Sequence, residues 1–245
     1  MKRKYVITNT LLFFVFLLSI FLSSYSGALA APVDSRWKLY NSVGKFTQYY
    51  DTKTIEYDPS EQIAKVWTLH ISNKGRQLKM QELSAISFKY KALDMMTQSV
   101  EYNSNGEPIY RRTSEAYTWQ SIPPDTPFET LANSVASELH IQPIYQGGPD
   151  RWKWLHSTDT YGLYVAKDTI VYDPDLSEYS IWTKKLDLNG QMTETLYSIN
   201  FADKTIWIEQ STSPWIRYDG HHYPIPESDE EYIYNAVKDL AQNLK

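Results

Sequence analysis

The chain has 245 residues, a net charge of −5, no cysteine, and 20 Tyr and 8 Trp against only 9 Gly. A mild negative charge without a basic stripe excludes a nucleic-acid binder, and the missing cysteines exclude both disulfide crosslinks and thiol chemistry. Strand-favouring aromatics in such numbers point to β-structure, and Tyr and Trp are also residues of binding surfaces.

Taken in order, the chain opens with basic Lys2-Arg3-Lys4 and an apolar run over 11–22 that is too short to span a bilayer comfortably. Ala28-Leu29-Ala30 then supplies small residues where a signal peptidase reads. Residues 1–30 are expected to be a signal peptide cut after Ala30, with an uncleaved anchor as the alternative. No cysteine follows the apolar run, which excludes a lipoprotein. The expected location is secreted or cell-surface, with no stable membrane anchor after cleavage.

The 215 residues that follow (245 − 30) suit two domains of about 100 better than one, and the chain repeats itself. Residues 151–183 lie without a gap on 36–68 at an offset of 115, with twelve identities in thirty-three positions. Arg36-Trp37-Lys38 meets Arg151-Trp152-Lys153, and Thr54-Ile55 meets Thr169-Ile170. Tyr57-Asp58-Pro59 meets Tyr172-Asp173-Pro174, and Trp67-Thr68 meets Trp182-Thr183.

In the first copy, Trp37 to Tyr40, 46–51 and Thr54 to Tyr57 read as short strands, the last closed by an Asp58-Pro59-Ser60 turn. Over 63–71, Ile63, Trp67, Leu69 and Ile71 share one face with only Lys65 interrupting, a half-buried strand of period two. Asn73-Lys74-Gly75 turns it back into 78–90. Asn103-Ser104-Asn105-Gly106 joins 99–102 to 108–112 as a hairpin. Thr126-Pro127-Phe128-Glu129 is a capping box with Pro at the first helical position, before a stripe of Phe128, Leu131, Val135 and Leu139. Residues 141–149 read as a linker.

The second copy repeats the plan more tightly. Residues 179–188 and Asn189-Gly190 match the long strand and its turn, and Ile199 and Phe201 fall on Ile86 and Phe88 at an offset of 113. Asp203-Lys204 turns the chain into 205–210. Ser228-Asp229-Glu230-Glu231 is a second capping box, at an offset of 102, before Ile233, Val237, Leu240 and Leu244. The expectation is α+β: two tandem domains, 31–140 and 150–245, each a several-stranded antiparallel sheet packed by a C-terminal helix.

These residues carry a likeness. Trp37, Tyr49-Tyr50-Asp51, Thr54-Ile55, Val66-Trp67, the hairpin from Tyr102 to Gly106, and Trp119-Gln120-Ser121-Ile122-Pro123-Pro124 leading into a helix resemble the bacterial surface-adhesin protein E domain. The match covers nearly all of the first copy. The second keeps Trp152, Thr169-Ile170 and Ile181-Trp182 but has Val165-Ala166 for Tyr50-Asp51, and the cysteines common near the family's terminal helix are missing. The resemblance implies an antiparallel sheet packed by a helix, a surface or secreted location, and binding of host matrix or serum proteins and of haem. No binding motif is matched, so no residue role is carried over.

Nucleophile elbows and phosphate-cradling loops are missing, and no catalytic residue is nominated. His70 falls on Lys185 and His156 on Asn41, so neither belongs to a duplicated site, and His140 borders the linker. The one local cluster is Arg217-Tyr218-Asp219-Gly220-His221-His222-Tyr223. It is either a haem or metal site, with His221, His222, Tyr218 or Tyr223 as ligand and Arg217 for a propionate, or a polar turn. Adjacent histidines on an extended segment point to opposite faces, which favours the turn, so no metal site is nominated. Asp229-Glu230-Glu231 reads as a first helical turn favoured by the helix dipole. The Trp37/Trp152 and Trp67/Trp182 pairs read as core. Trp154, Trp207 and Trp215 have no aromatic counterpart in the first copy and are the nominated partner-binding residues. The reading is a non-enzymatic exported binding protein for an extracellular protein or small ligand, without cofactor. A haem or metal carrier is the alternative, and a secreted hydrolase ranks third.

Overall fold

A computed structural model describes residues 35–42, 44–72, 79–103, 105–114, 117–213 and 220–242. The leader at 1–30, the turn at Asn73-Lys74-Gly75 and the nominated Trp215, Arg217 and Tyr218 lie outside the described residues. Two compact units are formed: one runs to Ile122 and resumes over Pro127–Ile144, the other comprises Pro123–Thr126 and the chain from Tyr145 onward. The division falls inside the segment read as a linker, where Ile144 and Tyr145 are both buried. Ile144 N–H donates to Asn133 Oδ1 at 2.8 Å within the first unit.

The first unit contains β1 (Trp37–Asn41), β2 (Phe46–Asp51), a 3-10 turn (Thr52–Thr54), β3 (Glu56–Asp58), β4 (Ile63–Ser72), β5 (Lys79–Ser87), β6 (Ala92–Tyr102), β7 (Pro108–Thr113), β8 (Gln120–Ser121) and helix α1 (Pro127–Leu139). Its antiparallel sheet has the order β1-β2-β4-β5-β6-β7, with β3 beside β4 and β8 beside β6. The second unit contains β9 (Trp152–Ser157), β10 (Tyr161–Ala166), a 3-10 turn (Lys167–Thr169), β11 (Val171–Asp173), β12 (Glu178–Asp187), β13 (Met192–Asn200), β14 (Thr205–Ser211) and helix α2 (Asp229–Gln242). Its order is β14-β13-β12-β10-β9, with β11 beside β12. Among the described residues the composition is α+β, mostly antiparallel sheet with two helices.

The second unit follows the first element by element: β2, the 3-10 turn, β3 and β4 reappear 115 residues later, and β5 reappears 113 residues later. Left-handed backbone recurs at offsets of 115, 113 and 102, at Gln62 (φ 54°) and Ser177 (57°), Lys91 (49°) and Lys204 (57°), and Asp125 (58°) and Glu227 (61°). His222 bridges Ile206 where Gln120 pairs Leu93, so the histidine segment takes the place of β8. The hairpin arm ending in β7 belongs to the first unit alone among the described residues.

Both helices begin where expected. Thr126 Oγ1–H donates to the Pro123 carbonyl at 2.7 Å, and Ser228 Oγ–H donates to the Ile225 carbonyl at 2.6 Å. Glu231 reaches past its expected cap position: its Oε2 accepts Glu227 N–H at 2.7 Å and holds that left-handed residue.

Each sheet is buried on two faces. In the second unit, Leu163, Val165, Ile181, Tyr197, Ile199 and Ile206 meet Ile233, Ala236 and Val237 of α2. On the far face Ala166, Trp182 and Leu196 form a smaller core with Trp152 packed on it. Strand pairing makes this a row, Trp152–Ala166–Trp182–Leu196–Gln210, and the first unit has the same row as Trp37–Asp51–Trp67–Leu83–Gln98. The face assigned to β4 from its pattern is corrected here. The completely buried set is Ala64, Val66, Thr68 and His70, while on the far side Leu69 is buried at 8% exposure and Ile63, Trp67 and Ile71 are half-buried. Hydropathy weights bulk, whereas a helix with alanines at 132 and 136 packs close over small side chains.

Candidate functional site

The far face of the second sheet gathers several of the nominated residues. Ser180, Trp182 and Lys184 alternate on β12 and share this face, and their cross-strand neighbours lie there with them. One row runs Trp154–Tyr164–Lys184–Glu194, and the row on the other side of Trp182 runs Ser180–Ser198–Trp207.

At the β9 edge Trp154 is 56% exposed. Its Nε1–H donates to Ser157 Oγ at 2.9 Å, which fixes the indole while leaving its surface to solvent. Tyr164, the cross-strand neighbour, lies over Gly162, where a Cβ would meet the ring at 3.0 Å. Glycine at 162 therefore lets the tyrosine lie down on the sheet. Lys184 Nζ sits 4.0 Å from the Trp152 ring centroid and 5.5 Å from that of Tyr164, a cation over two aromatic faces. Burial holds this lysine below its usual pKa. Beyond Tyr164, exposed Leu186 and Met192 pair across strands, with exposed Leu188 in the turn between them.

At the β14 edge, His221 stacks on Trp207 with centroids 3.8 Å apart and planes within 6°. Ser198, opposite Trp207, donates to Glu209 Oε2 at 2.7 Å. Ser180 approaches the same oxygen at 3.2 Å and Ser198 Oγ at 2.8 Å. His222 turns the other way: its Nε2 lies 3.1 Å from Glu230 Oε2 and its Nδ1 lies 2.8 Å from the Gly220 carbonyl. The two histidines diverge, as adjacent residues on extended backbone must. Tyr223 beyond them is 72% exposed.

Trp207 and His221 are thus together, His222 is apart from them, and Trp154 shares their face at the opposite edge. Four inter-strand steps, about 19 Å, separate β9 from β14. The acidic run of α2 converges on no common point. Asp229 Oδ2 accepts the Tyr161 hydroxyl at 2.7 Å and pairs with Lys185 at 2.6 Å, Glu230 faces His222, and Glu231 holds the helix start. The Tyr161 hydroxyl is pushed up to about 12 by burial first and by Asp229 second. Among the described residues there is no group of three or more His, Asp or Glu placed to hold a metal ion. No helix among them is long and apolar enough to cross a membrane.

Sequence reasoning missed Lys184, Gly162 and the Ser180–Ser198–Glu209 cluster. Each is ordinary in its own stretch: Gly162 gains meaning from the Tyr164 ring that lies back over it, and the others from strand pairing, which places residues 18 and 29 positions apart side by side. No family model, curated protein or solved structure matches the chain.

Proposed function

We propose that the chain is an exported, non-enzymatic binding protein made of two tandem copies of a surface-adhesin protein E-like domain, with its partner surface on the far face of the second sheet. The observation that carries this reading is the placement of Trp154 and Trp207, both on that face, where the first unit has Leu39 and Asp94 at the matching positions. Tandem duplication is supported by the recurring elements, left-handed residues and Trp–x–Trp–Leu–Gln row. An exposed, pinned indole beside a reclining tyrosine offers rigid aromatic area at little entropic cost, the property that concentrates binding energy in such residues.

The test is to present mature protein to extracellular matrix proteins, serum proteins and glycans, beside Trp154→Ala and Trp207→Ala variants. Lost binding at unchanged thermal stability supports the reading. Turnover of ester, peptide or glycoside substrates that a single His or carboxylate substitution abolishes would overturn it. A haem carrier is the second reading, favoured by the exposure of His221 on Trp207 near Tyr223. Only His221 is open to such a role, because His222 is engaged by Glu230 and Gly220. Haem titration with His221→Ala separates the two: a Soret shift lost in the variant supports the carrier, and an unshifted band removes it.

A further inference from the structure

The core of the first unit holds a buried polar chain that the second unit lacks. Asn41 Nδ2–H donates to Gln48 Oε1, Gln48 Nε2 lies 3.1 Å from His70 Nδ1, and His70 Nε2 lies 3.1 Å from Thr68 Oγ1. The Thr68 hydroxyl donates to the Glu82 carbonyl at 3.2 Å. Glu82 Oε2 approaches His70 Nε2 to 3.3 Å without completing a hydrogen bond. His70 is 1% exposed and Glu82 2%. The matching positions in the second unit are Leu163 for Gln48, Lys185 for His70 and Thr195 for Glu82, and Lys185 reaches out to Asp229 instead.

The directions of these bonds locate the protons. With its oxygen taken by Asn41, Gln48 turns its amide nitrogen to His70, so Nδ1 must accept. An imidazolium would set N–H against N–H there. The ring proton therefore sits on Nε2 and goes to Thr68 Oγ1, whose own proton is used on the Glu82 carbonyl. Among the described residues Glu82 has no lysine or arginine partner, and burial disfavours its charged form. No cation among the described residues pairs with either group, and Arg112 of β7 stands two strands away in the row Glu82–Ser99–Arg112. Tyr40 of β1, Tyr50 of β2 and Glu101 of β6 face the pair, and on α1 Glu138 is taken up by Lys38 and Tyr50.

We propose that His70 and Glu82 form a neutral pair with one titratable proton, carried by Glu82, which adds no pH dependence of its own to the stability of the first unit across mildly acidic pH. Either residue without the other would make this unit a pH switch.

Burial lowers His70 from 6.5 to about 4, and raises Glu82 from 4.5 to about 7 with Glu101 adding to the rise. Between pH 4.5 and 6.5 the unfolded chain holds one proton on the histidine, and the folded core holds one on the glutamate. Equal proton counts mean zero slope. In Glu82→Gln only the depressed histidine remains. Stability is then full above pH 6.5 and is lost as pH falls toward about 4, roughly tenfold in the unfolding constant per pH unit. In His70→Gln only the raised glutamate remains, so stability is full below pH 4.5 and is lost at the same rate as pH rises toward about 7. The double variant is level again.

The experiment is native-state hydrogen exchange of β4 and β5 amides in the full chain across this range, for the wild type, both single variants and the double variant. Measured against the wild type, opposite slopes in the singles and none in the double are expected; the comparison cancels Asp94 of β6, which burial raises to about 6 in all four proteins. Slopes of one sign, or none in either single, overturn the proposal. Nitrogen NMR of the His70 ring in the unaltered protein decides independently if a variant fails to fold. A neutral ring protonated at Nε2 between pH 4.5 and 6.5 supports the pair, and an imidazolium there overturns it.

Discussion

Thr169 donates its hydroxyl to the Ala166 carbonyl at 2.8 Å and accepts Trp182 N–H at 3.0 Å. Thr54 does the same between Asp51 and Trp67, at 3.1 and 3.2 Å. One hydroxyl thus ties the 3-10 turn to the long strand, which explains why Thr-Ile and Trp-Thr recur together. The next residue joins in, since Thr68 and Thr183 donate to the carbonyls of Glu82 and Thr195 at 3.2 and 3.0 Å. Asp58 and Asp173 each accept an N–H two residues on, at 2.9 Å in both, which accounts for the repeated Tyr-Asp-Pro. The identities are hydrogen-bonding positions as much as packing positions. Valine at 169 keeps the shape but leaves the Trp182 N–H buried without an acceptor, so Thr169→Val should cost about 1–3 kcal/mol in chemical denaturation. Thr54→Val should cost less, because water can reach the half-buried Trp67.

At the scale of elements, most strands were legible because alternation, Asp-Pro and Asn-Gly signals are local, but the stretch read as 78–90 turns after Ser87, the strand read as 99–102 already begins at Ala92, and β8 was missed. Which face each strand buries was not legible. In β4 the bulky residues lie on the far side, and the buried face is Ala64, Val66, Thr68 and His70. A period-two pattern fixes the two faces as sets, while the choice between them belongs to the helix, which arrives from more than fifty residues away. The same two-sidedness separates the paired tryptophans. Trp182 is 1% exposed in the row with Trp152 and Leu196, whereas its counterpart Trp67 is half-buried. Trp182→Ala should therefore cost about 3–5 kcal/mol and Trp67→Ala distinctly less. Urea denaturation of the two variants measures the difference, and equal losses would contradict this account of the far face.

On the scale of the whole molecule, the arginines that open the two repeated stretches have different surroundings. Arg151 is buried, donates from Nη1 to Asp125 at 2.7 Å and from Nε to Asp168 at 3.2 Å, and lies 5.7 Å from the Tyr145 ring centroid. Trp152 Nε1–H donates to the other oxygen of Asp125 at 2.8 Å, and Gly147 N–H to Asp168 at 2.7 Å. Arg36 pairs with Asp51 and keeps a third of its side chain in solvent. Removing a buried cation strands the carboxylates it served, so Arg151→Ala should cost about 3–5 kcal/mol. Arg36→Ala should cost a comparable amount although its own side chain is partly exposed, because Asp51 is left 1% exposed without its cation. Differential scanning calorimetry of both variants measures the two losses, and a loss near zero for either would contradict this reading.

By itself the sequence determined the α+β composition, most of the strands and both helices, the repeat at 115 residues and the divergence of His221 from His222. These follow from local periodicity, turn chemistry and self-comparison, and need no knowledge of what packs on what. Only the tertiary structure decided that Trp154 and Trp207 share a face, that Gly162 gives Tyr164 room to lie flat, and that His70 and Glu82 meet in a sealed core. These depend on strand register and helix placement, and neighbours across a sheet are brought together by pairing rather than by position along the chain.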